Sequence, residues 1–308
     1  MSTRTRFFSV VAAGVAAMLI WTAFGSIQIA SGQEAQTIIA RAHDGTHGPS
    51  FTKPIYVLVV GGDARQGNPQ HVRIDSIHIL AIDPVSLKGS LVGIPRDSYV
   101  PIPGHGTDKI NAAGYFGGPE LMMQTVENIS GCTFDYYMLT SFVGFVRLVD
   151  DFGGVTFDVD RGAHGNGYHE KGSSKINLNP GRQRLTGEQS LAWSRFRHDR
   201  PRGDFDRSFA QGQLAVAALA EARKDYKAKP GTALRNLGAM LKNIKTTVPL
   251  AEALKLGLLA LRMNPENVKN IVLDGGSANV NGASVVKLSG SATDQMHDAC
   301  DDGILQNH

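Results

Sequence analysis

The stretch Ile55-Tyr-Val-Leu-Val-Val60-Gly61-Gly62-Asp63 decides the fold. Its apolar run is rich in β-branched residues, too short for a helix, and closed by two glycines. Such a run reads as a buried strand. The residues that follow agree. Ser76–Ile82 is again strand-like, and Asp83-Pro84 with Lys88-Gly89 forms a hairpin turn into a strand over Ser90–Ile94. Pro119–Ser130 reads as a helix, Tyr136–Leu139 as a strand, and Phe142–Asp151 as a helix closed by Gly153-Gly154. Val155–Val159 resumes a strand. This alternation predicts an α/β fold, with a central mixed β-sheet flanked by helices on both faces.

Further along, the glycine- and histidine-rich segment Arg161–Ser174 reads as a mobile loop. His164 and His169 lack a further partner at ligand spacing there, so the loop is not read as a metal site. Thr186 with Gln189 three residues on is a capping-box pattern, opening a helix to about Arg195. Amphipathic patterns predict helices over Arg207 to about Tyr226, Thr232–Lys242 and Leu250–Arg262, and strands over Val268–Leu273 and Ala283–Leu288. Cys132 and Cys300 are too few for a metal cluster. In an exported domain they pair as one disulfide tying the chain end to the body; otherwise they are two separate small hydrophobes.

Phe7–Ile27 holds 21 residues without a charge, preceded by Arg4 and Arg6, with no further Lys or Arg until Arg41. As a helix it is roughly 32 Å long, about the thickness of a bilayer's hydrocarbon core. The arginines place the N-terminus in the cytoplasm and the remainder outside. The run is long for the apolar region of a cleaved leader and no clean Ala-x-Ala site follows, so it reads as an uncleaved signal anchor. The expected organisation is a cytoplasmic tail and transmembrane anchor over 1–30, a linker over 31–54 and an extracytoplasmic domain over 55–308. The protein is thus expected at the cell membrane, crossing it once. The net charge of +3, without a long basic run or zinc-finger spacing, argues against a nucleic-acid partner.

Chemistry concentrates in recurring Asp and Arg residues: Asp63 and Arg65, Arg73 and Asp75, Arg96-Asp97, Arg195 and Arg197, and Asp204-Phe-Asp206-Arg207. Carboxylates are hard-oxygen ligands for a divalent cation, and guanidinium groups grip phosphate oxygens in pairs. Neighbouring strands can bring Asp63 and Asp75 together. Each pair alone is equally an ordinary surface ion pair; their order and spacing point to a phosphate-handling site.

The ordered blocks Gly-Gly-Asp-Ala-Arg (61–65), Arg-Ile-Asp-Ser (73–76), Gly-Ile-Pro-Arg-Asp-Ser-Tyr-Val (93–100), Lys-Ile-Asn-Ala-Ala (109–113), Val-Asp-Asp-Phe-Gly-Gly-Val (149–155), Leu-Thr-Gly-Glu-Gln-Ser-Leu-Ala (185–192), Arg-Phe-Arg-His (195–198) and Gly-Asp-Phe-Asp-Arg (203–207) resemble the LytR–CpsA–Psr family. The resemblance covers about Ile55 to Leu219. It implies a membrane-anchored phosphotransferase that moves a glycopolymer from a polyprenyl-pyrophosphate carrier to a peptidoglycan hydroxyl. By the same resemblance Asp63 and Asp75 associate with Mg²⁺ or Mn²⁺. Arg73, Arg96, Arg195, Arg197, Arg207 and Gln211 surround the pyrophosphate, with Asp97 and Lys109 in support. It also implies an apolar tunnel for the lipid tail, with candidate walls in the helix after Arg207 and in Phe142–Leu148. Ala210 departs from the pattern, standing where relatives often carry a second arginine. Two alternatives stand beside the transferase: a non-catalytic binder of polyprenyl phosphate that regulates envelope assembly, and a pyrophosphatase on the same lipid.

Overall fold

The structure, a computed structural model, describes residues 37–42, 50–63, 73–162, 164–171, 175–197, 200–229, 231, 244–246 and 248–306; the side chains of 37–40, 63, 73, 244–246 and 250 are not described. The elements below belong to the unit Ala35–His308. The expected anchor Phe7–Ile27 and the helix expected over Thr232–Lys242 lie outside the described residues. Among the described residues, no helix is long and apolar enough to cross a membrane.

Strands β1 (Thr37–Arg41), β2 (Ile55–Asp63), β3 (Arg73–Asp83) and β4 (Lys88–Gly93) open the chain. A hairpin of β5 (Tyr99–Ile102) and β6 (Gly106–Lys109) leads to α1 (Asn111–Ser130), β7 (Tyr136–Ser141) and α2 (Phe142–Asp151). Then come β8 (Val155–Val159), β9 (Tyr168–His169), β10 (Asn177–Leu178), β11 (Gly181–Leu185), α3 (Gly187–Arg195) and α4 (Asp204–Ala228). The chain continues through β12 (Ile244–Thr246), α5 (Leu250–Arg262), β13 (Val268–Val272), β14 (Gly275–Val280), β15 (Ala283–Leu288) and α6 (Gly290–Asp302).

Seven strands form the central sheet in the order β12-β1-β7-β2-β3-β4-β13. It is mixed: β2 runs parallel to β7 and antiparallel to β3, and β13 runs parallel to β4. β2 lies well inside the sheet, as its unbroken apolar run requires. Period-2 alternation along β3 shows why both faces are covered. Ile77 and Ile79 are fully buried with Met122 and Val126 of α1 and Met296 of α6. Leu80 and Ile82 pack instead with Leu259 of α5 and Met263 beyond it. Each fully buried isoleucine contributes about 1.5–3 kcal/mol, so a slip of one residue along β3 would forfeit several such terms. A third cluster, centred on Trp193 and Phe196, holds α2, α3 and α4 against the β8–β11 ribbon. Ala210 is buried in that cluster rather than turned toward the cation-rich face.

The expectation of a linker over 31–54 needs correction. Thr37–Arg41 pairs with β7 and β12 inside the sheet. Arg41 Nε donates to Glu252 Oε1 of α5 at 3.1 Å, and Tyr136 OH donates to the same oxygen at 2.5 Å. The segment Arg161–Ser174 is not wholly a loop either, because β9 pairs with β10. Helix α1 begins at Asn111, ahead of the expected Pro119, and is broken by non-helical backbone at Gly117 and Gly118. The reading of Cys132 and Cys300 as a disulfide holds: the two sulfurs are bonded, fastening the region just after α1 to α6.

Candidate functional site

Asp75 owes its position to a β-bulge. Gly61 pairs with Ser76 and Gly62 with Ile74, so Asp75 has no partner residue on β2. A bulge re-aims the extra residue and leaves it outside the ladder. The Asp75 carboxylate then meets the Arg96 guanidinium in an ion pair through Oδ1.

Arg96 follows β4 and is held at both backbone ends. Its N–H donates to Asp204 Oδ2 at 3.2 Å, and its carbonyl accepts from Asn111 N at 3.2 Å. Its Nε lies 3.8 Å from Asp204 Oδ1. Burial pulls the Arg96 guanidinium down, but Asp75 and Asp204 outweigh it and leave its pKa above the ordinary value.

Helix α4 brings the second cation. Arg207 is 4% exposed, pairs with Asp204 at 2.5 Å, and donates through Nη2 to the Asp75 carbonyl at 3.2 Å. Burial holds its pKa below the ordinary arginine value, with Arg96 and Arg197 adding repulsion and Asp204 and Asp75 opposing. The Nε atoms of both Arg96 and Arg207 are buried without a hydrogen-bond acceptor among the described residues. Two orphaned guanidinium donors beside one another are a ready partner for an oxyanion.

Close backbone approach makes this meeting feasible. A Cβ on Gly93 would come within 2.4 Å of Ser208 Oγ, and one on Gly212 within 1.9 Å of Asn270 Oδ1. Glycine at both positions lets α4 settle onto β4 and β13. The helix starts at Asp204, three residues before the expected Arg207, and its first turn carries Asp204 and Asp206. The positive end of the helix dipole is therefore matched by its own carboxylates. What α4 presents to an anion is thus the arginine side chain rather than free backbone N–H groups.

Of the other expected residues, Arg197 lies close enough to act on Arg207 and Asp97 close enough to act on Arg96. Lys109 Nζ lies 3.2 Å from Asp97 Oδ1. Arg195 ends α3 with its guanidinium 4.5 Å over the Phe142 ring, and Arg197 is exposed just beyond. Gln211 Nε2 donates to the Ser194 carbonyl at 2.9 Å, so it braces the end of α3 that carries Arg195. The side chains of Asp63 and Arg73 are not described; their strand register sets them opposite one another, with Arg73 two residues before Asp75.

The sequence gives no sign of the part played by one residue it does single out, Asp204, or of a second, His78. Asp204, at the start of α4, bridges both arginines, yet in the sequence it is one acid of the Asp204-Phe-Asp206-Arg207 motif with nothing to mark that role. His78 is buried on β3, with Nδ1 3.2 Å from Ser76 Oγ and Nε2 3.1 Å from the Ser208 carbonyl. The carbonyl accepts, so Nε2 carries the proton and Nδ1 accepts from the serine hydroxyl. One imidazole thus joins the residue after Asp75 to the residue after Arg207.

Burial brings the His78 pKa down from 6.5 to about 4. The folded protein disfavours the charged form, so this stability is present above the unfolded value of 6.5 and is lost as pH falls toward about 4. Chemical unfolding at pH 7 and pH 4.5 should show roughly 2 kcal/mol of histidine contribution lost between those conditions. His78→Gln should flatten that part of the profile; an unchanged slope would show that His78 is not responsible.

Comparison with known proteins follows the same lines. The sequence matches the LytR_cpsA_psr family over residues 22–302. It is 34% identical over 207 residues to polyisoprenyl-teichoic acid–peptidoglycan teichoic acid transferase TagU of Bacillus mycoides strain KBAB4, covering 65% of this chain and 62% of that protein. It is 38% identical over 165 residues to regulatory protein MsrR of Staphylococcus aureus strain COL, covering 52% of this chain and 46% of that protein. The chain thus spans less than two thirds of the length of either curated relative. The solved structure of TagT bound to LI-WTA superposes with a TM-score of 0.65 at 25% identity, covering 87% of this chain and 95% of that one. With its bulge-borne acid, its converging arginines and a sequence match that runs through nearly all of them, the chain belongs to the LytR_cpsA_psr family.

Proposed function

We propose that the protein is a membrane-anchored phosphotransferase, moving a glycopolymer from a polyprenyl-pyrophosphate carrier to a sugar hydroxyl of peptidoglycan. The observation that carries this reading is the pair of orphaned Nε donors on Arg96 and Arg207, set beside Asp75. The transferase name of the Bacillus mycoides relative supports it. The disulfide between Cys132 and Cys300 suits an oxidising, extracytoplasmic setting. Phe7–Ile27, flanked by Arg4 and Arg6, is our proposed anchor in the bilayer.

Arg96 and Arg207 would hold the diphosphate, with Arg195, Arg197 and Lys109 adding positive charge around it. In the transfer, an acceptor hydroxyl oxygen bonds to the phosphorus that bears the polymer. The bridging P–O bond breaks, polyprenyl phosphate leaves, and the hydroxyl proton passes to the carboxylate of Asp97. Positioning and fixed charge supply most of the rate in such reactions.

Among the described residues, no three His, Cys, Asp or Glu side chains converge into a complete metal cage. Asp75 nevertheless fits one end of a divalent site, since its Oδ2 takes no hydrogen bond among the described residues. Asp75 and Asp63 would hold Mg²⁺ or Mn²⁺, with phosphate oxygens as further hard ligands. When bound, the ion would neutralise charge developing on the phosphate oxygens.

Asp75→Asn should lower transfer about 10²–10³-fold, the range seen when a fixed electrostatic contact to a transition state is lost. Transfer of labelled polymer to peptidoglycan by the full chain, with and without chelator, checks this. Unchanged transfer by the variant would remove Asp75 from the mechanism. Free lipid phosphate with soluble polymer as products would establish the pyrophosphatase instead. Because the Staphylococcus aureus relative is named a regulatory protein, a binding-only role is the second reading. Tight lipid binding without any turnover would favour it.

A further inference from the structure

Next to the arginine grip lies a recess of about 480 Å³, framed by Asp97, Asp204, Phe205, Asp274, Ser277 and Ser284. Its volume falls within the roughly 300–1,000 Å³ of small-molecule sites. Asp204 and Asp97 are the shared wall: both also belong to the cluster around Arg96. The hairpin of β14 and β15 forms the far side, and it is pinned to the near side by a hydrogen bond from Val286 N to the Asp97 carbonyl at 2.8 Å.

The charge on this recess is opposite to that of the grip. Three carboxylates frame it, and among the described residues its only cation is Arg202. Arg202 is already committed, donating to Asp206 through Nε at 2.7 Å and through its backbone N–H at 2.9 Å. A second phosphate would be repelled here. What the recess does offer is acceptors and hydroxyls. Asp97 engages Lys109 through Oδ1, leaving Oδ2 without a partner among the described residues. Asp274 accepts from Ser291 and Gln295 through Oδ2, leaving Oδ1 in the same condition. Ser277 and Ser284 are exposed, and their hydroxyls make no hydrogen bond among the described residues. Phe205 adds an aromatic surface, of the kind that the C–H face of a sugar ring covers.

From this juxtaposition we infer that the recess is the acceptor subsite, and that it takes a neutral, hydroxyl-rich sugar while the neighbouring arginines take the diphosphate. The inference rests on the transferase reading and names where its second substrate sits. It also gives Asp97 its place, at the border between acceptor hydroxyl and phosphorus.

Gly276 provides the test. It lines the recess on β14, its backbone is not in the left-handed region, and a Cβ there would meet nothing within 4 Å. Gly276→Tyr therefore fills the recess without crowding the fold. The full chain in detergent is titrated with chitotetraose as the sugar probe and, separately, with geranylgeranyl pyrophosphate. Gly276→Tyr should weaken chitotetraose binding at least tenfold and leave the diphosphate Kd within twofold. Ser284→Tyr, on the exposed face of β15, should do the same and guards against a folding defect at Gly276. Unchanged sugar binding in both variants, equal loss of both probes, or diphosphate binding without sugar binding in the unsubstituted chain would each overturn the subsite. Absence of diphosphate binding in the unsubstituted chain would instead fell the transferase reading, while the sugar titration still judges the recess.

Discussion

Arg207→Met is expected to lower the unfolding free energy by about 3–5 kcal/mol, the usual cost of removing one partner from a buried charge pair. The reason is the company it leaves. Asp204 loses its 2.5 Å partner, and the Asp75 carbonyl loses its donor. For a domain of this size the loss corresponds to a drop in thermal midpoint of roughly 6–20 °C. Binding should suffer as well. One charge-assisted phosphate contact is worth about 1.5–3 kcal/mol, which predicts a diphosphate Kd raised about 10- to 150-fold. Arg207→Lys separates the two effects. It keeps the charge near Asp204 and restores part of the stability, but it lacks the planar fork and should not restore binding. Melting curves and diphosphate titrations of both variants measure this. A methionine variant that melts lower but binds like the parent would show that Arg207 is an ordinary buried structural cation, and one that melts like the parent would refute the buried charge pair.

The second large effect is expected from the disulfide. Cys132 and Cys300 are 168 residues apart in sequence, so their bond closes most of the folded domain into one loop. Replacing both by alanine should cost about 2–5 kcal/mol, because the unfolded chain regains the freedom that the loop removes. The change should be seen in denaturant midpoints, and a thiol assay on the unreduced parent should find no free cysteine. Helix α6 should respond first. It carries a buried face of Ala292, Met296 and Ala299 but few large side chains, so amide exchange there should accelerate more than in β2 or β3. Uniform exchange across the domain would contradict that order.

How much could be read from residue order alone depended on how local the cause was. Helix α2 and strands β8 and β15 fall on the expected residues, and α3 carries the full capping box of Thr186 and Gln189. Their starts and stops are written in neighbouring residues. Strand β1 was hidden, because a short segment declares itself a strand only through partners on β7 and β12 that lie far along the chain. Helix α6 was missed for a related reason: its apolar stripe is thin, and its hold on the domain comes from Cys300. In the site, Asp75, Arg96 and Arg207 could be named from their motifs, whereas their bridging by Asp204 could not. That bridge depends on how closely α4 approaches the sheet, which Gly93 and Gly212 permit but do not announce. His78 gave no signal either, since a histidine within an apolar strand looks like any other core filler.

The bulge at Asp75 has one more outcome. A residue that answers to no neighbour across the ladder can be exchanged without disturbing the strands beside it. If the proposed transfer is right, reactivity and architecture are separable in this domain: a single change at the inserted position would silence the chemistry while the sheet that carries it stays paired.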